Sequence, residues 1–312
     1  MEDELFGQLY RLIVQIDKRR PRRKRLQFND AIILSVVIWS ALHERPICWA
    51  CSRKNWSERY RELWLDLPSA QTMSDRLRTV SLHLLLEQVF YHLLAARALC
   101  GFCLCRRIDS KPLPVGGFSK DRDARWGYAT GGKYRGYKMF CGWGKDSLVP
   151  EAMVLGPMNC SDQAGAMHLI DGLQSLYAGN ACGYLVADST HDTNLLHEHA
   201  GRCGLQLLCP RKEPYSGLGH CPHSPYRLRS IQMLEGDPDP MAFALHDARG
   251  FGRGIYRQRG QIERDLGQLC CFGGGLQPLP AWVRRPDRVA LWVILKLITN
   301  GLRIQHNHGL TV

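Results

Sequence analysis

The chain has 312 residues, and its 41 lysines and arginines outnumber its 29 aspartates and glutamates, for a net charge of +12. This length can bury sizeable cores in about two domains. The hydrophobic fraction of 45% and the charged fraction of 22% are those of a globular protein, which excludes a disordered chain. The basic excess predicts a polyanionic partner, most simply nucleic acid, with an anionic membrane as the weaker alternative.

The sequence predicts a cytoplasmic protein with reduced cysteines. Its first residues are acidic, unlike a signal peptide, and its longest apolar runs, Ala31–Leu42 and Val289–Leu302, are too short to span a bilayer. The 13 cysteines are therefore expected to be thiols, not disulfides. Zinc is the alternative interpretation for three clusters without compact ligand spacing, namely Cys48 with Cys51, Cys100 with Cys103 and Cys105, and His220 with Cys221 and His223.

Residues 1 to about 100 are predicted to be helical, because Leu5, Leu9 and Leu12 recur at helical spacing. Seven of the eight residues from Lys18 to Arg25 are basic. We interpret this segment as an arm that contacts DNA phosphates, in preference to a solvated basic turn. The arm includes Arg22, Arg23, Lys24 and Arg25.

Further helices are predicted before residue 100. Asn29 is expected to cap a helix through Ala31–Leu42, and Leu82–Leu99 forms a long apolar helix. Between them, a short helix at Ser57–Leu65 and a second one at Pro68–Arg78 fit a helix-turn-helix over about 57–79. An ordinary helical hairpin explains the same pattern equally well.

From about residue 101 the pattern predicts an α/β domain with a mixed sheet flanked by helices. Strands are predicted at Phe102–Ile108, Tyr137–Trp143, Leu148–Leu155, Tyr184–Ala187 and Leu205–Cys209, with a loop at 116–135. Helices are predicted from Ser161 or Asp162 to Tyr177 and at Asn194–Ala200, 253–270 and 286–306. Residues 210–250 are rich in proline, glycine and histidine, which predicts a long insertion.

Three carboxylates are candidates for metal binding. Asp109 and Asp188 are each expected at the carboxyl end of a buried strand, where ligands collect in open α/β sheets. Glu263 is expected on one helical face with Tyr256 and Arg259. Carboxylates suit hard cations such as Mg²⁺, and two such ions about 4 Å apart can drive an in-line displacement at phosphorus. Arg259 can then contact a phosphate or pair with Glu263.

These residues resemble the DDE transposases of bacterial insertion sequences, of the insertion-sequence-four/five type in the retroviral-integrase superfamily. That family carries a Tyr-x2-Arg-x3-Glu-x6-Lys signature, which Tyr256, Arg259 and Glu263 match. Cys270 stands at the lysine position and departs from the pattern. Asp109 and Asp188 lie in contexts similar to the first two acids, and the segments Ser119–Gly127 and Gly136–Lys138 resemble the family after the first acid.

The resemblance implies an RNase H-like catalytic domain over 101–312 and an N-terminal helical DNA-binding region over 1–100. It implies that Asp109, Asp188 and Glu263 hold two Mg²⁺ ions, which Mn²⁺ can replace, and that Tyr256 and Arg259 position the terminal DNA. Water would cut double-stranded DNA at the transposon ends, and the freed 3′-hydroxyl would attack target DNA. The DNA path would be lined by Lys120, Arg122, Arg125, Lys133, Arg135 and Lys138.

The resemblance also implies a homodimer that holds two transposon ends in the bacterial cytoplasm, at the nucleoid. Two other functions are compatible with the same residues. One is a related RNase H-like nuclease that does not transpose. The other is a decayed or co-opted protein that only binds DNA, which Cys270 favours and the intact set of three acids opposes.

Overall fold

The computed structural model of the protein describes residues 2–21, 26–64, 66–98, 103–129, 131–145, 147–213, 217–218, 220–236, 248–271, 275–276 and 278–307. The predicted contacts of Arg22–Arg25 lie outside these residues. The chain forms two compact units, a helical unit (Met1–Leu99, Leu269–Gln277 and Asp287–Val312) and a sheet unit (Cys100–Gln268 and Pro278–Pro286). Within the described ranges, no helix combines the length and the apolar character needed to cross a bilayer.

The helical unit confirms the predicted N-terminal helices, with some changes of length. The Asn29 side chain accepts a hydrogen bond from the amide of Ile32, which confirms it as the cap of the second helix. The predicted helix at Ser57–Leu65 is shorter than expected, and whether the following pair acts as a helix-turn-helix stays a prediction. The helices are α1 (Glu2–Lys18), α2 (Asp30–Leu42), α3 (Ile47–Ala50), α4 (Glu58–Arg61), α5 (Ala70–Arg76) and α6 (Val80–Ala98).

Aromatic rings fill the core of the helical unit. The Phe6 ring contacts Trp39, Trp56 and Tyr60 edge-on, with centroids 4.8 to 5.5 Å apart. Helix α2 is buried along nearly its whole length, which explains its continuous apolar run. The long C-terminal helix (Pro286–Asn307) contributes Lys296, whose buried ammonium donates to the Ala41 carbonyl and pairs with Glu44.

The sheet unit contains six strands: β1 (Cys105–Pro114), β2 (Arg125–Ala129), β3 (Gly132–Gly144), β4 (Ala152–Pro157), β5 (Gly183–Val186) and β6 (Leu205–Leu208). Their order is β2-β3-β1-β5-β6, and β4 also pairs with β3. Strands β1, β5 and β6 are parallel, whereas β3 runs antiparallel to β1. A central β1 with an antiparallel neighbour on one side and parallel strands on the other confirms the RNase H-like mixed sheet.

Two strand predictions need correction. Strand β1 does not end before Asp109, because the long β3 extends the ladder as far as the pair Pro114 and Gly136. Only the parallel pairing with β5 ends there, at Arg107 and Val186. The predicted loop at 116–135 in fact contains β2 and the start of β3. Its polar residues fit a strand at the edge of the sheet, where one face meets solvent.

The remaining helices of the sheet unit are α7 (Asp162–Leu176), α8 (Asn194–Arg202), α9 (Pro225–Glu235), α10 (Ala248–Tyr256) and α11 (Arg259–Cys271), and the C-terminal helix is α12. Ser161 caps α7 by accepting from the amide of Ala164. Helix α9 lies within the stretch predicted to be a long insertion. Its Pro225 stands in the first turn, where the missing amide proton is not needed.

The single helix predicted over 253–270 is two helices, α10 and α11, separated by a turn at Arg257 and Gln258. The amide of Gln258 bonds to the Ile255 carbonyl, three residues back, which tightens the end of α10. Glycines at 254 and 260 flank the turn and lower the helix propensity there. Tyr256 therefore does not share a helix face with Glu263, contrary to the prediction.

Helices cover both faces of the sheet. On one face, Ile108 belongs to an apolar cluster with residues of α7 and α8, such as Leu169 and Leu196. On the other face, Cys105, Val186 and Leu208 pack with Met233 of α9 and Ile255 of α10. The candidate site lies on this second face.

Candidate active site on the central strand

Asp109 lies in the middle of β1, on the sheet face that α11 covers. Strand side chains alternate between faces, so Asp109 shares its face with Arg107, which contacts Asp265 of α11. The Asp109 side chain accepts a 2.7 Å hydrogen bond from the Ser110 amide. Burial raises the pKa of this half-buried carboxyl, and the charge of Asp188 raises it further.

Asp188 follows β5 directly and caps a short 3₁₀ helix, Ser189–His191. Its Oδ1 accepts from Nδ1 of His191 at 2.8 Å and from the amide and hydroxyl of Thr190 at 3.1 and 2.5 Å. The hydrogen bond from His191 is the main cause that holds the pKa of Asp188 well below its usual range, and Thr190 adds to it. The pKa of Asp188 is therefore lowered and its side chain is fixed in place, whereas the pKa of Asp109 is raised.

Glu263 lies on the first turns of α11, with 60% of its side chain exposed. The neighbouring Ile262 is fully buried and anchors the helix. Nη1 of Arg259 lies 2.6 Å from Glu263, and Nη2 of the same guanidinium lies 4.0 Å from Asp188. One arginine thus bridges two of the predicted acids, and the pairing with Glu263 is one of the two alternatives that the sequence offered for Arg259.

Tyr256 ends α10 close to this arginine. Burial raises the pKa of its hydroxyl, and the positive charge of Arg259 partly offsets that effect. The break between α10 and α11 brings the two residues to the same region by a turn, not by helical periodicity.

The three acids are a suitable donor set for a hard divalent cation, since each offers carboxylate oxygen. The negative charge of Asp188 acts on Asp109, so a cation between them would relieve the repulsion. At present Arg259 supplies the positive charge to Asp188 and Glu263. Within the described residues, the three carboxylates do not all approach within 4.8 Å of one another, so metal binding would draw them together.

Two groups of mixed ligands do approach within 4.8 Å, namely Asp171 with His199 and Cys203, and Asp192 with His197 and Cys209. Neither contains the cysteine and histidine clusters considered from the sequence. The cysteines with described side chains are thiols, and no disulfide joins any of them to another of this set, as expected.

An ion pair that the sequence did not reveal holds the loop after Asp188. Arg227 of α9 donates from Nε and Nη2 to the two carboxylate oxygens of Asp192, both at 2.7 Å. The Lys212 amide also donates to Asp192, and these contacts hold its pKa well below the usual range against the effect of burial. Helix α9 therefore supports the loop that carries Asp188. The sequence signal for this helix was Pro225, which suits the first turn of a helix.

A second ion pair links the strand of Asp109 to the helix of Glu263. Nη2 of Arg107 lies 3.2 Å from Asp265, and the two side chains are only 3% and 19% exposed. The contact is an ion pair whose alignment falls short of a hydrogen bond at Asp265 Oδ2. Arg107 also donates to the Gly144 carbonyl at 2.6 Å. Because Arg107 and Asp265 are each two residues from a predicted acid, this pair sets the distance between β1 and α11.

The basic residues predicted to line the DNA path fall into two groups. Lys138 is tied into the protein, because its ammonium donates to the Cys160 carbonyl at 3.1 Å and pairs with Asp162 at 3.3 Å. Arg135 is half-exposed, and its Nε donates to the Ala124 carbonyl. The others are exposed: Lys120, Arg122, Arg125 and Lys133.

The sequence profile of the family described as "Transposase DDE domain" matches residues 105–298, more than half of the chain. The chain therefore belongs to the DDE transposase family. It is accordingly a DNA transposase, an enzyme with nuclease and strand-transfer activity, and enzymes of this family depend on divalent metal. No curated protein matches the chain.

Two solved structures show a more distant similarity. One is the cryo-EM structure of a piggyBac transposase synaptic complex with hairpin DNA, at 11% identity and a TM-score of 0.46, covering 98% of this chain and 72% of that one. The other is a Mos1 mariner paired-end complex with Mn, at 14% identity and a TM-score of 0.24, covering 84% of each chain. Similarity this low leaves the family match and the strand order as the basis of the identification.

Proposed function

We propose that Asp109, Asp188 and Glu263 are the three catalytic acids of this transposase and that they hold two Mg²⁺ ions, which Mn²⁺ can replace. The observation that supports this most directly is the position of the Arg259 guanidinium beside Asp188 and Glu263. These two carboxylates already share one positive charge, as ligands of a metal cation would. When bound, the ions would activate the attacking oxygen and stabilise the leaving one.

The residues of the chain have distinct roles in this proposal. His191 and Thr190 hold Asp188 ionised and oriented, so it can accept a cation without losing a proton. Burial raises the pKa of Asp109, and a nearby positive charge would lower it. With Glu263 engaged as a metal ligand, Arg259 would leave its ion pair with that residue. Its planar guanidinium can then bind a phosphate of the terminal DNA beside Tyr256.

The DNA contacts follow the distribution of exposed charge. Lys120, Arg122, Arg125, Lys133 and Arg135 would line the path of the DNA, whereas Lys138 would mainly support the start of α7. The N-terminal helical region and the basic segment Arg22–Arg25 would add contacts to phosphates. Two chains would hold two transposon ends, and the enzyme would act in the bacterial cytoplasm. Cys270 cannot supply the positive charge of the family's lysine, so that contact would be absent.

The test is cleavage of labelled duplex DNA that carries the inverted repeats flanking the gene, with Mg²⁺, with Mn²⁺ and with EDTA. We expect metal-dependent cutting by the wild type and none by Asp188→Ala or Glu263→Ala. Glu87→Gln, which removes an exposed helical carboxylate elsewhere, serves as the control and should cut normally. Cutting by both acid variants at the wild-type rate would refute the three-acid site.

A further inference from the structure

The hairpin of β2 and β3 exposes aromatic rings to an unusual degree. Trp126 is 59% exposed, Tyr128 78% and Tyr134 39%. Large rings in solvent give up the favourable free energy of burial, and clusters of them mark binding surfaces. Nothing in the three-acid proposal uses these residues.

The strand register places two of these rings beside two cations. Trp126 lies directly opposite Arg135, and Tyr128 lies directly opposite Lys133. Residues directly opposite each other project on the same face of a sheet, so one face of the hairpin presents two aromatic and two basic side chains.

The opposite face of the hairpin contacts the protein at Gly127. Gly127 is buried there, and a Cβ atom at this position would lie 2.4 Å from the Met158 carbonyl oxygen. Gly127 is therefore required for the close approach of β2 to the chain after β4. The face with Trp126, Tyr128, Lys133 and Arg135, here called the hairpin face, points to solvent.

The hairpin face and Asp109 lie on the same side of the sheet. Asp109 is paired with Cys141 on β3, and Cys141 is an even number of residues from both Lys133 and Arg135. Because side chains alternate along a strand, all of them project to one side. Six residues of β3 separate Arg135 from Cys141, which corresponds to about 20 Å along the strand.

The chemistry of the hairpin face selects unpaired bases over a paired duplex. Trp126 and Tyr128 are two residues apart on one strand, which places them about 6.8 Å apart. Consecutive base pairs in B-DNA are spaced by about 3.4 Å. Two bases that stack on these two rings are therefore not stacked on each other. An unpaired strand can separate its bases in this way, whereas a B-form duplex cannot. Stacking on aromatic rings beside basic residues is how proteins bind single strands without reading sequence.

We propose that the hairpin face binds an unpaired stretch of the DNA strand next to the cleavage point, with Trp126 and Tyr128 stacking on bases and Lys133 and Arg135 contacting phosphates. A separation of about 20 Å spans about six nucleotides where the intervening DNA keeps the B-form rise, and fewer where the strand is unpaired and extended. The location of this stretch relative to the reacting phosphate rests on the proposed three-acid site. The binding of unpaired bases does not.

The experiment is a fluorescence-anisotropy titration in EDTA, so that no cleavage is needed. Two labelled DNAs of the same end sequence are compared, a blunt duplex and a duplex with a six-nucleotide single-stranded overhang. We expect tighter binding of the overhang DNA by the wild type. Trp126→Ala and Tyr128→Ala should each weaken binding of the overhang DNA by about 5- to 150-fold and leave the blunt duplex unaffected.

Two further variants separate this effect from others. Trp126→Phe keeps a stacking ring and should retain most of the preference for the overhang DNA. This result would show that position 126 tolerates substitution without loss of folding. Phe118→Ala removes a 94% exposed ring outside the hairpin and should change nothing. Equal weakening of both DNAs by Trp126→Ala, or no weakening of either, would overturn the proposal. Cutting by Asp188→Ala and Glu263→Ala at the wild-type rate, together with an intact overhang preference, would instead refute only the three-acid site.

Discussion

The two faces of the central sheet differ in what their side chains do, although the same strand supplies both. On β1, Ile108 packs into the apolar cluster under α7, where Phe140 lies so close to Gly165 that a Cβ atom there would overlap its ring. On the other face, Arg107 and Asp109 carry charges. Around Ile108 the first face is packed with apolar side chains, whereas around Asp109 the second face places charged groups in partly buried positions, which lowers stability unless they are paired.

Two of the predicted acids, Asp188 and Asp109, also differ in how their surroundings affect their pKa. Asp188 is stabilised in its ionised form by His191 and Thr190, whereas Asp109 is held in a position that favours its neutral form. The proposed metal site therefore combines one carboxylate whose pKa is already lowered by its neighbours with one whose pKa a bound cation would lower.

Removal of the Asp109 charge is expected to have the largest effect. Loss of a residue that only hydrogen-bonds a metal ligand typically lowers activity by about 10- to 100-fold. Asp109→Asn, which changes a proposed ligand itself, should lower metal-dependent cleavage by more than this. The same substitution should raise the Tm in EDTA at neutral pH, because burial and Asp188 make the ionised form unfavourable. Cleavage assays and calorimetry on one preparation test both effects, and a lower Tm in EDTA would contradict the assigned burial.

Disruption of the Arg107 and Asp265 pair tests how the charged face holds together. Arg107→Met leaves the Asp265 carboxylate buried without its partner, and we expect a loss of about 3–5 kcal/mol in the free energy of unfolding. The double variant Arg107→Met with Asp265→Leu should recover most of this loss. Urea unfolding measures the stability, and cleavage activity reports whether Glu263 has kept its position. A single variant as stable as the wild type would show that the pair is not structural.

A large-to-small change on the apolar face provides the contrast. Leu169→Ala removes a fully buried side chain beneath β1, and we expect a loss of about 2–5 kcal/mol. Because Leu169 carries no charge and packs on the sheet face opposite Asp109, the folded variant should keep the wild-type dependence of cleavage on metal concentration. A shift in that dependence would mean that the two faces are coupled through β1.

A smaller effect, of opposite sign for Asp188 and Asp109, is expected in the dependence of stability on pH. Asp188 has a lowered pKa when folded, so it contributes stability above the unfolded value of about 3.9 and loses that contribution as the pH falls through its folded pKa. Asp188→Asn should therefore destabilise the metal-free protein at neutral pH, with the difference shrinking in acid. Asp109 has a raised pKa, so acidification from neutral pH adds stability through this residue. Unfolding in urea across pH distinguishes the two variants, and the same sign for both would contradict the comparison.

Much of the sheet unit could be predicted from local pattern. The short apolar runs before Asp188 and Cys209 gave β5 and β6, and Ser161 and Asn29 fit the helix caps that the structure contains. The strand predictions were wrong where pairing with a neighbouring strand outweighs the local residue composition. Strand β1 continues through the prolines at 112 and 114 because β3 is long enough to pair with it. Strand β2 forms in a glycine-rich and charged stretch because it is an edge strand.

The sequence by itself determined the order of the three predicted acids, the basic character of the chain and the alternation of β1, because each depends on residue type and short spacing. Only the tertiary structure decided that α10 and α11 are separate helices, that Arg227 supports the loop of Asp188 and that Arg107 links β1 to α11. These contacts join residues far apart in the chain. Their partners are selected by packing of the whole unit, and no local period or spacing records that choice.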